Sequence, residues 1–336
     1  MLEMMRLCLA FGLLLFWMGC TDSDPSQQKV DEPVGKELPS PVPLKPAKSY
    51  LDANGNLIIE DSALEAALRE ISGVEDGPVP KVSLDRFATL TLNGREIRDI
   101  SPLGELKHLR NLNLSGNQVT DLHPLSQIPE LEELWIGQNS ISDISPLAGL
   151  RGLKVLEAHT NQIVDLAPLA NLSQLERLNL WKNRLRQIDP LSACIRLIHL
   201  DLRENKIIDI QAVSEMSRLR VLMAGQNQIN SVEPLRNLLE LERIYLGRNQ
   251  ITDISPLGSL RDLKDLRFAY NGVQSVLPLA GLSKLEFLEL RKNLVQNLTP
   301  LHLLTSLKRV NLWDNPLEID VVAGIRRALP VCDIRF

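Results

Sequence analysis

The chain has 336 residues, 44% of them hydrophobic and 24% charged, with a formal net charge of −5. This balance argues against a polyanion-binding surface, which would carry a one-sided basic excess. Its four cysteines are too scattered to pair into a disulfide framework.

In chain order, Leu7 to Met18 is a twelve-residue apolar run, too short to span a bilayer. It ends in Trp17-Met18-Gly19-Cys20, which resembles a signal peptide closed by a lipoprotein cleavage box. That resemblance implies a signal over residues 1–19 and a lipid on Cys20. The competing reading is an uncleaved apolar N-terminus with an incidental cysteine. Residues 20–48 hold six prolines among Ser, Asp, Glu and Lys, a composition that cannot bury a core and should stay extended as a tether. Lipoprotein resemblance also places the chain in a bacterial cell envelope, as a lipid-anchored membrane protein. Thr21 after the cysteine leans toward the outer membrane if the cell is Gram-negative.

Residues 49–86 read as an N-terminal cap. A helix is expected over about Ser62 to Ile71, with Asp61 as N-cap and Leu64, Ala67, Leu68 and Ile71 on one face. Asp52-Ala-Asn54-Gly55-Asn56 reads as a turn, since it lacks the glycine and final carboxylate of a calcium loop.

From residue 87 to 317 one frame repeats every 22 residues: Leu-x-x-Leu-x-Leu-x-x-Asn-x-Ile, then Asp-Ile-x-Pro-Leu-x-x-Leu. Ten asparagines, from Asn117 to Asn315, keep that frame without slippage, and Arg95 takes their place in the first rung. A fixed period of this kind specifies a solenoid. The alternating second and third leucines read as a strand, and stacked strands about 4.8 Å apart form a parallel sheet. Eleven rungs would span roughly 50 Å. Asn donates and accepts at once, so a column of Asn amides can satisfy the backbone at the turn after each strand. Asp, Ser or Asn then opens a short 3-10 turn at nine sites, Gln187 being the exception, and Pro follows three residues later except at Ala212. Residues 318–336 should close the far end as a second cap, with Ile319, Val322, Ile325 and Leu329 on one helix face. Cys194 holds a core position and Cys332 lies in that cap, too far away for a disulfide.

The frame Asn-x-Ile-x-Asp-Ile-x-Pro-Leu resembles the leucine-rich repeats of the internalin family and of a eukaryotic phosphatase-1 regulator with similar repeats. The segment 59–71 resembles the helical cap of bacterial internalin-like proteins. The resemblance implies a leucine-rich repeat solenoid, α/β with a strand and a short 3-10 turn per repeat. It further implies a right-handed curve, a parallel concave sheet, helical caps, and protein recognition on the concave side.

Function should lie in what the repeat leaves free: the residues flanking the second leucine and the two after the third. Six of the eight aromatic residues between 87 and 317 fall there, far more than random placement gives: Trp135, Trp181, Tyr245, Tyr270, Phe287 and Trp313. His159, Trp181 and Arg203 share a column on consecutive rungs. Tyr245, Arg248, Arg267, Tyr270, Phe287, Arg291 and Trp313 form a larger patch. Trp, Tyr and Arg dominate binding hot spots, although aromatic residues also brace neighbours across a sheet. No His or Cys spacing suits a metal, and no phosphate loop or serine elbow is present. The expectation is therefore a monomeric, non-catalytic binder without cofactor or metal, membrane-associated only through its lipid. Its partner is a protein or, in the alternative, a cell-wall polysaccharide, and not a nucleic acid. An enzyme is the last choice.

Overall fold

The computed structural model describes residues 48–336. The expected signal, Cys20 and nearly all of the tether lie outside the described residues.

Twelve three-residue strands form one sheet in strict chain order, β1 (Thr89–Thr91) through β11 (Arg309–Asn311) to β12 (Asp333–Arg335). All neighbours are parallel, and from β1 to β11 each residue pairs with its equivalent in the next repeat, as Thr89 does with Asn111. The strands are short because only the Leu-x-Leu core of each repeat alternates. The central residue, such as Leu134 or Leu178, is fully buried. These leucines stack into one continuous core from α1 to the C-terminal helix. Burying each one stabilises the fold by about 1.5–3 kcal/mol, and no repeat could do so alone.

The asparagine column does what the frame requires. Asn161 accepts the Ile141 N–H at 3.0 Å and donates to the carbonyls of Ile136 at 2.9 Å and Ala158 at 3.2 Å, so it ties two rungs together. The residue before each asparagine from Gln138 to Asp314 has φ between 52 and 60°, while the first two rungs use Gly94 and Gly116. Left-handed backbone at a non-glycine residue costs about 1–2 kcal/mol. The asparagine bonds, at about 0.5–1.5 kcal/mol each, offset it.

Asp99, Asp121, Asp143, Asp165, Asp209 and Asp253 each accept the N–H two residues on, at the start of a 3-10 turn. Ser231, Ser275 and Asn297 do the same. The turn after Gln187 forms without such a bond, and Ala212 supports its turn without proline.

The N-terminal helix α1 (Ser62–Ser72) buries Leu64, Ala67 and Leu68. Asp61 caps it through Oδ1 on the Leu64 N–H, while Oδ2 takes the N–H groups of Arg98 at 2.8 Å and Asp99 at 3.0 Å. One carboxylate thus fastens the cap to the first rung, and Arg95 adds a 2.6 Å ion pair to Glu70. Asp52 organises the expected turn by accepting from Asn54 and Asn56. A single-turn helix, α2 (Lys81–Leu84), completes this cap.

At the far end α3 (Ile319–Ala328) buries Val322 and Ile325, with Leu329 buried just beyond it. Ile319 does not join them: it begins the helix and is 83% exposed. The cap also supplies β12, a strand that breaks the frame, with Arg309 paired to Asp333. Among the described residues no helix is long and apolar enough to cross a membrane.

Candidate functional site: the outer face of the strands

All eleven expected binding residues lie in the strands or the two positions beyond the third leucine, so they project from the sheet face opposite the core. Adjacent rungs bring nine of them into three groups that differ in how their charges are satisfied.

In the first group, His159 and Trp181 lie with ring centroids 5.8 Å apart and planes tilted by 31°. His159 covers Gly137, where an added Cβ would come within 2.5 Å of Nε2, so glycine makes room for the imidazole. On the next rung the Arg203 guanidinium lies 5.3 Å from the Trp181 ring centre. Arg203 Nε donates to both oxygens of Asp201, at 2.9 and 3.0 Å, and the Arg203 backbone N–H donates to the same carboxylate. Asp201 alternates outward yet is only 2% exposed, because Arg203 folds back over it. Its bond to Asp201 raises the Arg203 pKa further. This unit is closed.

A second closed unit surrounds Tyr245. Its hydroxyl donates to Asp265 at 2.7 Å, and Arg267 lies 4.3 Å from its ring centre while bonding the same carboxylate through Nε and Nη2. Asp265 is 7% exposed. Burial, then the bond to Asp265, raises the Tyr245 pKa above 10.

The third group is open. Arg248 lies 4.4 Å from the Tyr270 ring centre, Arg291 5.4 Å from it, and the Lys292 ammonium 5.2 Å from it. Arg291 also stacks 4.3 Å from the ring centre of Trp313, which is 50% exposed. Among the described residues, neither Arg248 nor Arg291 has a carboxylate within 4.0 Å. Trp135 and Phe287 stand apart, with no aromatic or cation stacking partner among the described residues.

Sequence columns placed the rings correctly but did not mark Asp201 and Asp265 as buried partners. The available signal was an Asp two residues before an Arg on one strand face. Lys292, absent from the expected set, joins the open group because it follows Arg248 and Tyr270 in the same column.

Beside this face, Arg110, Glu132 and Lys154 form a charge ladder, as do Glu242 with Lys264 and Glu286 with Lys308. No group of three His, Cys, Asp or Glu among the described residues could hold a metal ion. Burial pushes the Cys194 thiol up to about 11, away from nucleophilic use. A shallow pocket of about 330 Å³ is walled by turn residues, including Ile208, Asp209, Glu233 and Pro234, and lies away from the three groups.

Models described as leucine-rich repeats match residues 108–127, 129–171, 173–215 and 217–259. Among solved structures, the chain is similar to an internalin of Listeria monocytogenes, at 27% identity and a TM-score of 0.74, covering 83% of this chain and 89% of that one. Internalin C2 of the same organism is 34% identical with a TM-score of 0.61, over 62% of this chain and 93% of that one. A leucine-rich repeat protein of Leptospira interrogans is 28% identical with a TM-score of 0.72, over 76% and 67%. No curated protein sequence matches.

Proposed function

This chain belongs to the internalin-like family of bacterial leucine-rich repeat proteins, and on that premise we propose that it is a non-catalytic recognition protein whose concave face binds a protein partner at the cell envelope. Leucine-rich repeat folds typically serve as protein-binding modules, and the internalins named above share this chain's architecture. One observation carries the reading: aromatic rings and arginines are gathered on a single sheet face, the Arg291–Trp313 stack among them left half open to solvent. The binding residues are Trp135, His159, Trp181, Arg203, Tyr245, Arg248, Arg267, Tyr270, Phe287, Arg291 and Trp313. A lipid on Cys20 would hold the face near a membrane, with the Pro-rich segment as spacer.

The test is capture of a protein by the full chain, compared with Trp181→Ala and Trp313→Ala. Each hot-spot truncation should cost about 2 kcal/mol or more. Capture that survives protease treatment of the target but not glycan removal would replace the protein partner with a polysaccharide. The anchor has its own test: palmitate labelling that persists in Cys20→Ala would falsify it.

A further inference from the structure

The arginines on the recognition face divide sharply. Arg203 and Arg267 spend their donors on Asp201 and Asp265. Arg248 and Arg291 donate no side-chain hydrogen bond to any described residue, and Arg291 Nε is buried with no partner. Both cations nevertheless converge on Tyr270, from the rungs before and after it. Like charges so placed repel, and the negative face of the ring offsets that repulsion. The stacking holds the guanidinium planes and leaves their N–H edges unused. A carboxylate fits the free Nη edges bidentately, and it would relieve the repulsion.

We propose that Tyr270, Arg248 and Arg291 form a seat for one carboxylate of an acidic peptide segment in the partner. The proposal rests on the protein-recognition reading and specifies the chemistry of its partner. Lys292, whose ammonium is 3.9 Å from Asp314, adds positive charge at the rim. Beside the seat stands Trp313, stacked on Arg291 and 50% exposed. It suits an apolar residue flanking the acid. Glu289, two residues before Arg291, and Asp314, next to Lys292 in its column, flank the seat, so a long polymer of repeated negative charges would meet repulsion there.

The experiment pans a random-peptide display library on the full chain, then measures enriched synthetic peptides against the chain and its variants, with heparin as a polyanion probe. Enriched peptides should carry Asp or Glu beside apolar residues. Replacing that acid by its amide should weaken binding about tenfold or more, and the double variant Arg248→Gln with Arg291→Gln should lose the same factor. Neither arginine leaves a carboxylate behind, so the variants should melt within a few degrees of the parent. Peptides whose binding falls with Trp313→Ala but ignores the acid and both arginines overturn the seat and leave the recognition face standing. Peptides indifferent to Trp313 and Trp181 as well, or no enrichment at all, overturn both readings. Heparin retention that depends on the two arginines, without acid-dependent peptide binding, also overturns the seat.

Discussion

Trp181 and Trp313 occupy the same column of the sheet, each beside an arginine of that column, yet Trp181 is partly buried beside a paired arginine and Trp313 is half exposed beside an unpaired one. The difference lies one residue away. Two positions before Arg203 stands Asp201, which folds onto the guanidinium. Two positions before Arg291 stands Glu289, which does not. Its Oε1 takes the Arg291 backbone N–H at 3.0 Å, and its Oε2 takes the Asn311 side chain on the next strand at 3.0 Å. The corresponding neighbour of Asp201 is Met223, which offers no competing donor. An aromatic–arginine pair on a solenoid face is therefore bracing or bait according to the neighbouring strand.

The contrast is broken most strongly at the arginines. Arg203→Ala strips Asp201 of its cover and of its guanidinium bonds, leaving it the residue-203 backbone N–H and incoming water, and should cost about 1–2 kcal/mol. Arg291→Ala strands no carboxylate and should cost only its stacking, about 0.5–1 kcal/mol, while weakening peptide binding. Urea denaturation of the two variants reads this directly, and equal losses would erase the distinction between closed and open groups. Adding Asp201→Asn to Arg203→Ala should recover part of the loss.

Asn311→Leu sharpens the same comparison. With its Asn partner gone, Glu289 is free to turn onto Arg291 and close the open group. Affinity for an acidic peptide should drop by about 1 kcal/mol, the size of one competing charge-assisted bond. Unchanged affinity, measured by titration, would mean that Asn311 is not what keeps Arg291 free. A smaller effect belongs to Tyr245→Phe, which removes one of several bonds to Asp265. It should lower stability by about 0.5–1 kcal/mol and weaken binding of an acidic peptide at Tyr270 far less than the arginine variants do, since the ring of residue 245 stays on the face.

The fold was legible because the period assigns every residue a rung and a column. The asparagine bonds, the Asp-opened turns and the Asp61 cap all follow from residue types within the frame. The site was legible only as far as direction. Alternation marks Asp201 and Asp265 as outward, but a neighbouring arginine covers each, and periodicity does not report cover. The contest for Glu289 between two strands is likewise a matter of cross-strand distance. The strand β12 escaped notice because it abandons the leucine frame, keeping only the half-buried Ile334 between charged residues. Ile319 misled for a related reason: helical spacing put it on the core face, but it is the first residue of α3, and in that turn Val321 and Val322 take the core contacts instead.

The least effect expected separates the groups by pH. His199 lies on the closed side, on the strand that carries Asp201. Burial foremost, and then Arg177, lowers its pKa below 6.5, while Asp201 and Glu157 act in the opposite direction and Arg203 adds to the lowering. The unfolded chain therefore binds this proton at a higher pH than the folded one. Stability from His199 is complete above pH 6.5 and is lost as pH falls from 6.5 through the depressed folded value. The slope is bounded at about 1.4 kcal/mol for each pH unit between the two values. Melting followed over this range should show a steeper acid loss for the parent than for His199→Gln. Peptide binding at Tyr270 should follow the same course in both proteins, since no histidine stacks on the Tyr270 ring. Parallel melting curves for parent and variant would mean that His199 titrates alike folded and unfolded, and pH would then no longer distinguish the closed side of the face from the open one.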